Sequence, residues 1–126
     1  PSILYEHVSA WFEDTDHVPF MMKVLPIKLE KRDQIPAVTH VDGSGRLQTV
    51  YKDTNERYYR LIAEFAKLTG VPILLNTSFN ENEPVVCTPK EALDCFLRTE
   101  MDVIVLNDYI ISRVKEQSSL EVQGLK

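Results

Sequence analysis

Apolar residues recur along this 126-residue chain at spacings that change from segment to segment. Ile3, Leu4, Val8, Trp11 and Phe12 fall near helical spacing, which predicts a short helix over 2–13, ended by Asp14-Thr15-Asp16. Phe20 to Ile27 predicts a strand with Pro26 at its edge or end, and the charged run Leu29–Gln34 a solvated loop. Ile35–Val41 and Arg46–Tyr51 are β-rich runs around Asp42-Gly43-Ser44-Gly45, which predicts a hairpin. Tyr58, Leu61, Ile62, Phe65 and Leu68 form one stripe of a helix over 55–69, with Gly70 as its stop. Phe20-Met21-Met22 and Trp11-Phe12 are expected in the core.

The apolar run Val71–Leu75 reads as a buried strand, and Pro84-Val85-Val86 as a short one. Thr88-Pro89-Lys90-Glu91 starts a further helix: Thr88 caps, Pro89 suits the first position, and Glu91 completes a capping box. That helix ends near Thr99. Asp102–Leu106 and Tyr109–Ile111 read as strands joined by a turn at Asn107-Asp108. The order predicts an α+β fold, or an α/β-like sandwich, with mixed strand directions. Residues 1–115 read as one domain and the polar stretch 116–126 as a flexible tail. The chain begins at Pro1, not Met, and reads as a piece of something longer.

Two segments hold candidate chemistry. Asn76-Thr77-Ser78-Phe79-Asn80 follows the strand at 71–75, where ligands tend to bind in sheets flanked by helices. In an extended chain Asn76, Ser78 and Asn80 share one side, a row that both donates and accepts hydrogen bonds. Asn and Ser are equally ordinary loop residues, because they bond to nearby backbone. In the second segment, His40-Val41-Asp42-Gly43-Ser44-Gly45-Arg46, a Gly turn leaves backbone N–H groups for an anion, and Arg46 offers a planar fork. Arg46 paired with Asp42 on the surface is the plainer alternative.

Composition narrows the classes. A net charge of −5 argues against non-specific nucleic-acid binding. No apolar run approaches the roughly 20 residues of a membrane helix. Cys87 and Cys95 do not make a disulfide framework, so a reducing, cytoplasmic setting is expected. His7, His17 and His40 lack metal-site spacing, and no metal is expected within this chain.

The stretch Ile35–Val50, with Thr39-His40-Val41-Asp42-Gly43-Ser44-Gly45-Arg46, resembles the hairpin signature of the NodU/CmcH-type carbamoyltransferases. So does Leu68–Leu93, with Pro72-Ile73-Leu74-Leu75-Asn76-Thr77-Ser78-Phe79-Asn80 and Thr88-Pro89-Lys90-Glu91-Ala92. The resemblance runs from about Pro1 to Ser112. It implies a YrdC-like C-terminal module, a twisted mixed sheet flanked by helices, partnered by an N-terminal actin/Hsp70-like module that carries the metal site. Ser78-Phe79-Asn80 is similar to the Ser-x-Asn motif of threonylcarbamoyl-adenylate synthases. The resemblance implies that ATP and carbamoyl phosphate form carbamoyl adenylate here, for transfer to a hydroxyl or amino acceptor of a natural product. Arg46 is expected to hold phosphate or the carbamoyl donor, and Ser78 and Asn80 the nucleotide phosphates. Asn76, His40 and Asp42 are expected to contribute to binding. The family's basic motif, of the form Lys/Arg-x-Arg-Glu-x-Phe/Trp-Arg-Pro, precedes the stretch matched by Pro1–Leu4. It is absent here, so the isolated chain is expected to be truncated at that edge and inactive. The alternative is a non-catalytic binding or docking domain of the same fold.

Overall fold

A computed structural model describes residues 1–113 and 120–124. The chain divides into two compact units, Pro1–Asn76 and 77–126. The fold is α+β, as the alternation of elements predicts.

The first unit is built on a four-stranded mixed sheet of β1 (Ser2–Leu4), β2 (Lys23–Pro26), β3 (Ser44–Val50) and β4 (Ile73–Leu74), in the order β2-β3-β1-β4. β1 runs parallel to β3, with Ile3 opposite Thr49, and antiparallel to β4. The helix expected over 2–13 is shorter: Ser2–Leu4 is strand, a 3-10 turn follows, and α1 spans only Val8–Trp11. Its apolar residues are buried as predicted, but short apolar runs do not separate a central strand from a helix by spacing alone. All three β1 residues are buried, so no alternation marks the strand.

β2 is an edge strand ending at Pro26, but it starts only at Lys23. Phe20 and Met22, expected in the core, are 80% and 82% exposed. Leu29–Gln34 is an exposed 3-10 helix rather than a loop. The expected hairpin is half right. The chain does reverse at His40–Gly43, where Gly43 N donates to His40 O (2.8 Å) and His40 N to Ser44 O (2.8 Å). But Pro36–Val38 is a 3-10 turn, and β3 takes β2 as its antiparallel partner, Leu25 opposite Gly45. Pro36 has no N–H to give a ladder there.

Helix α2 spans Glu56–Thr69, capped by Asn55 and stopped by Gly70 in the left-handed conformation. Its buried face is rotated from the expected stripe. Ile62 is fully buried with Leu4 and Val50, and Tyr58, Tyr59 and Ala63 pack around it, whereas Leu61 and Leu68 are exposed. The strand expected over 71–75 shrinks to Ile73–Leu74.

In the second unit, α3 (Pro89–Arg98) begins with the capping box read from Thr88 and Glu91. It lays Ala92 and Phe96 against Ile104 and Ile111 of the antiparallel strands β5 (Val103–Leu106) and β6 (Tyr109–Arg113). Phe79, Val86 and Leu93 complete this core. Pro84-Val85-Val86 is not a strand; Val86 N makes one bond, to Phe79 O (3.0 Å). Of the stretch 116–126 read as a polar tail, 116–119 and 125–126 lie outside the described residues, while Leu120–Gly124 form β7 alongside β6.

Candidate functional site

The His40–Ser44 turn is wired by one hydroxyl. Asp42 Oδ1 accepts from Ser44 N (3.0 Å) and Ser44 Oγ (2.6 Å), the local bonding that makes Asp a turn residue. These two bonds hold the Asp42 carboxyl below its ordinary range, the Ser44 hydroxyl contributing most. Ser44 Oγ also lies 3.1 Å from His40 Nδ1. Since the hydroxyl's single proton goes to Asp42, Nδ1 must be the donor of that contact. The neutral imidazole therefore keeps its proton on Nδ1 and presents Nε2 as an acceptor. Gly43 makes the turn possible: its φ is +80°, and a Cβ there would fall 2.2 Å from Arg32 Cζ. The turn and Arg32 are thus packed backbone to guanidinium, and Arg32 Nε is held by Ile27 O (3.0 Å).

Arg46 stands exposed on β3, opposite Val24. It is not hydrogen-bonded to Asp42 among the described residues, so the plain surface pair is not what the turn forms. Instead Arg46, His40 and Asn76 line one hollow of about 180 Å³ with Met21, Val38 and Leu75. Asn76 reaches it from just beyond β4 and is held there by Gln48, whose Oε1 accepts from Asn76 Nδ2 (3.0 Å) and from Ser2 Oγ (2.6 Å). Gln48 Nε2 donates in turn to Pro19 O (3.2 Å). Sequence reasoning missed Gln48. The available signal was its place two residues after Arg46 on a strand, which puts both side chains on one face.

A second and larger cavity in this unit, about 430 Å³, is lined by His17, Phe20, Tyr51 and Tyr58 among others. Tyr5 stacks on Tyr51 with centroids 4.7 Å apart, and His17 is hydrogen-bonded to the Tyr51 hydroxyl. Burial pushes the Tyr51 phenol above its ordinary range. Sequence reasoning assigns these residues no binding role.

In the second unit the polar row is not an extended ladder. The chain bends at Phe79, whose ring enters the core. Ser78 is exposed and lines a shallow hollow with Thr77, Phe79 and Met101. Asn80 turns back on its own loop, Nδ2 donating to Glu83 O (2.9 Å), which leaves Oδ1 for other partners. Arg98 at the end of α3 forks onto this loop: Nη1 meets Glu81 Oε2 (3.0 Å) and Nη2 meets Glu83 Oε1 (2.7 Å). The Glu83 carboxyl is held down to about 2, first by its own backbone N–H and further by Arg98 and Asn82 N–H. Among the described residues no group of three or more His, Cys, Asp or Glu side chains is placed to hold a metal ion, and no helix is long and apolar enough to cross a membrane.

Arg46 on β3, His40 in the turn before it and Asn76 just beyond β4 thus bring a guanidinium, an imidazole and a tethered amide to one hollow of the first unit. The chain belongs to the carbamoyltransferase C-terminus family, whose model matches residues 1–113. It is 47% identical to the nodulation protein NolNO of Sinorhizobium fredii over 90% of its own length and 17% of that protein's. It is 43% identical to the nodulation protein NolO of Bradyrhizobium diazoefficiens, over 90% of the chain and 21% of the relative. An uncharacterized protein of Synechocystis is 41% identical over 92% of the chain and 22% of its own length. The chain thus spans about a fifth of the length of the curated relatives it matches.

Proposed function

We propose that this chain is the module of an ATP-dependent carbamoyltransferase in which carbamoyl phosphate and ATP are converted to carbamoyl adenylate, for delivery to a hydroxyl or amino acceptor. Water first takes the phosphoryl group of carbamoyl phosphate, releasing inorganic phosphate and leaving carbamate; a carbamate oxygen then bonds to the α-phosphorus of ATP and pyrophosphate leaves. Charge builds on the phosphoryl oxygens, so the reaction calls for fixed cations and hydrogen-bond donors. Arg46 supplies a planar fork for phosphate or the carbamoyl donor. Asn76 presents an amide whose orientation Gln48 sets, and His40 an Nε2 acceptor that becomes a donor on protonation. Ser78 and Asn80 take the nucleotide phosphates. Asp42 acts through Ser44 rather than by touching ligand. The acceptor and the metal belong to an N-terminal actin/Hsp70-like partner module, and the setting is cytoplasmic. The residue range 1–115 is the proposed extent of the module.

The observation that carries this reading is the convergence of His40 and Arg46, from the turn and the strand it leads into, and Asn76, from just beyond β4, on one hollow in a chain of this family. The test is exchange of labelled pyrophosphate into ATP by the intact protein. Exchange is expected only with carbamoyl phosphate present, and Arg46→Ala and Ser78→Ala are each expected to lower it about a hundredfold. Wild-type rates in both variants would show that the residues are wrongly assigned. No exchange in the wild type would leave a binding or docking domain instead.

A further inference from the structure

The loop that carries Ser78 and Asn80 is held at both ends. Phe79 is anchored beneath it in the core with Ala92 and Phe96 of α3. Arg98, on the last turn of the same helix, reaches Glu81 and Glu83. Between these points Asn80 Nδ2 bonds Glu83 O, Asn82 N bonds Glu83 Oε2 (3.0 Å), and Val86 N bonds Phe79 O. Glu83 is the hub, because its carboxylate and its carbonyl each hold a different part of the loop. Arg98 is the one cation bonded to that hub among the described residues. Both ion pairs are substantially exposed, and pairs of that kind contribute little to global stability. Their consequence is local order and local charge.

We propose that Arg98 is a positioning residue for the Ser78–Asn80 loop. Its guanidinium gathers Glu81 and Glu83 into one fork, which sets the path of the chain as it leaves Phe79. It also neutralises two carboxylates within five residues of Ser78 that would otherwise repel nucleotide phosphates. The inference rests on the assignment of Ser78 and Asn80 to those phosphates. Lysine at this position carries the charge but cannot bridge two carboxylates with a planar fork.

Two measurements on the intact protein separate the parts. In Arg98→Gln, amide hydrogen exchange at Asn82 and Val86 is expected to rise about tenfold or more, with α3 amides unchanged. Unaltered exchange in the loop overturns the clamp. In the pyrophosphate assay, Arg98→Gln is expected to raise the KM for ATP about tenfold with a smaller fall in kcat. Arg98→Lys is expected to recover part of that loss. The control Lys90→Gln, which breaks an exposed pair with Asp94 on the same helix, is expected to change neither measurement. A loosened loop with a normal KM overturns the positioning role. A wild type without pyrophosphate exchange overturns the phosphate assignment, and the clamp is then judged on hydrogen exchange alone.

Discussion

Ser44 Oγ donates to Asp42 Oδ1 at 2.6 Å, and that bond decides which nitrogen of His40 carries the proton. A hydroxyl has one hydrogen, and with it committed to a carboxylate the oxygen can only accept from the imidazole. The turn therefore presets His40 with Nε2 unprotonated when neutral. Long-range proton–nitrogen correlation of the imidazole is expected to show the Nδ1–H form in the wild type. Ser44→Ala is expected to return His40 towards the mixture of tautomers found in a free side chain. A wild-type spectrum dominated by Nε2–H would contradict the arrangement.

Gln48 offers a second test, because it is the common partner of groups from three segments. Ser2 is fully buried, and its hydroxyl donates to Gln48 Oε1. Gln48→Ala strands that hydroxyl and releases Asn76. A loss of about 1–3 kcal/mol in unfolding free energy is expected from denaturant titration. Gln48→Glu keeps the acceptor and loses only the donor to Pro19 O, so its loss is expected to be smaller. Equal losses in the two variants would remove Gln48 as the organiser of Asn76.

Glu83 gives the pH dependence. Its folded carboxyl titrates at about 2, against 4.5 for an ordinary glutamate. A carboxyl lowered on folding adds stability above its unfolded value and loses it as pH falls towards the folded one. The Glu83 contribution is thus complete at neutral pH and declines from 4.5 towards about 2. The difference in denaturation midpoint between wild type and Glu83→Gln is expected to be largest near neutrality and to close in acid. A difference that widens as pH falls through that window would mean that the carboxyl is not stabilised by folding.

Local chemistry was legible from the residues themselves. Thr88 and Glu91 announce the start of α3, Gly70 announces the end of α2, and Gly43 marks a reversal with positive φ. Each signal is carried by a residue and its near neighbours, so no distant partner is needed to read it. Of the two runs around the Gly turn, Arg46–Tyr51 does fall largely in strand β3, but Ile35–Val41 forms no strand, so the expected hairpin partner is wrong. Pairing is set by which strand lies alongside, and Lys23–Pro26 occupies the place that Ile35–Val41 was expected to take. The α2 stripe failed for a related reason. Spacing identifies a helix with an apolar side, but Ile62 is chosen over Leu61 and Leu68 only by where Leu4 and Val50 sit.

By itself, then, the amino-acid order determined the family, the caps and turns, and most of the residue types placed at the candidate site. Tertiary structure alone decided that Ser2–Leu4 is a central strand, that Phe20 and Met22 face solvent, and that Gln48 holds Asn76 beside Arg46. The division follows from range. Backbone conformational preferences act over a few residues, whereas burial and hydrogen-bond partnership depend on segments far apart in the sequence, such as Ser2 and Gln48, 46 positions apart, meeting in space.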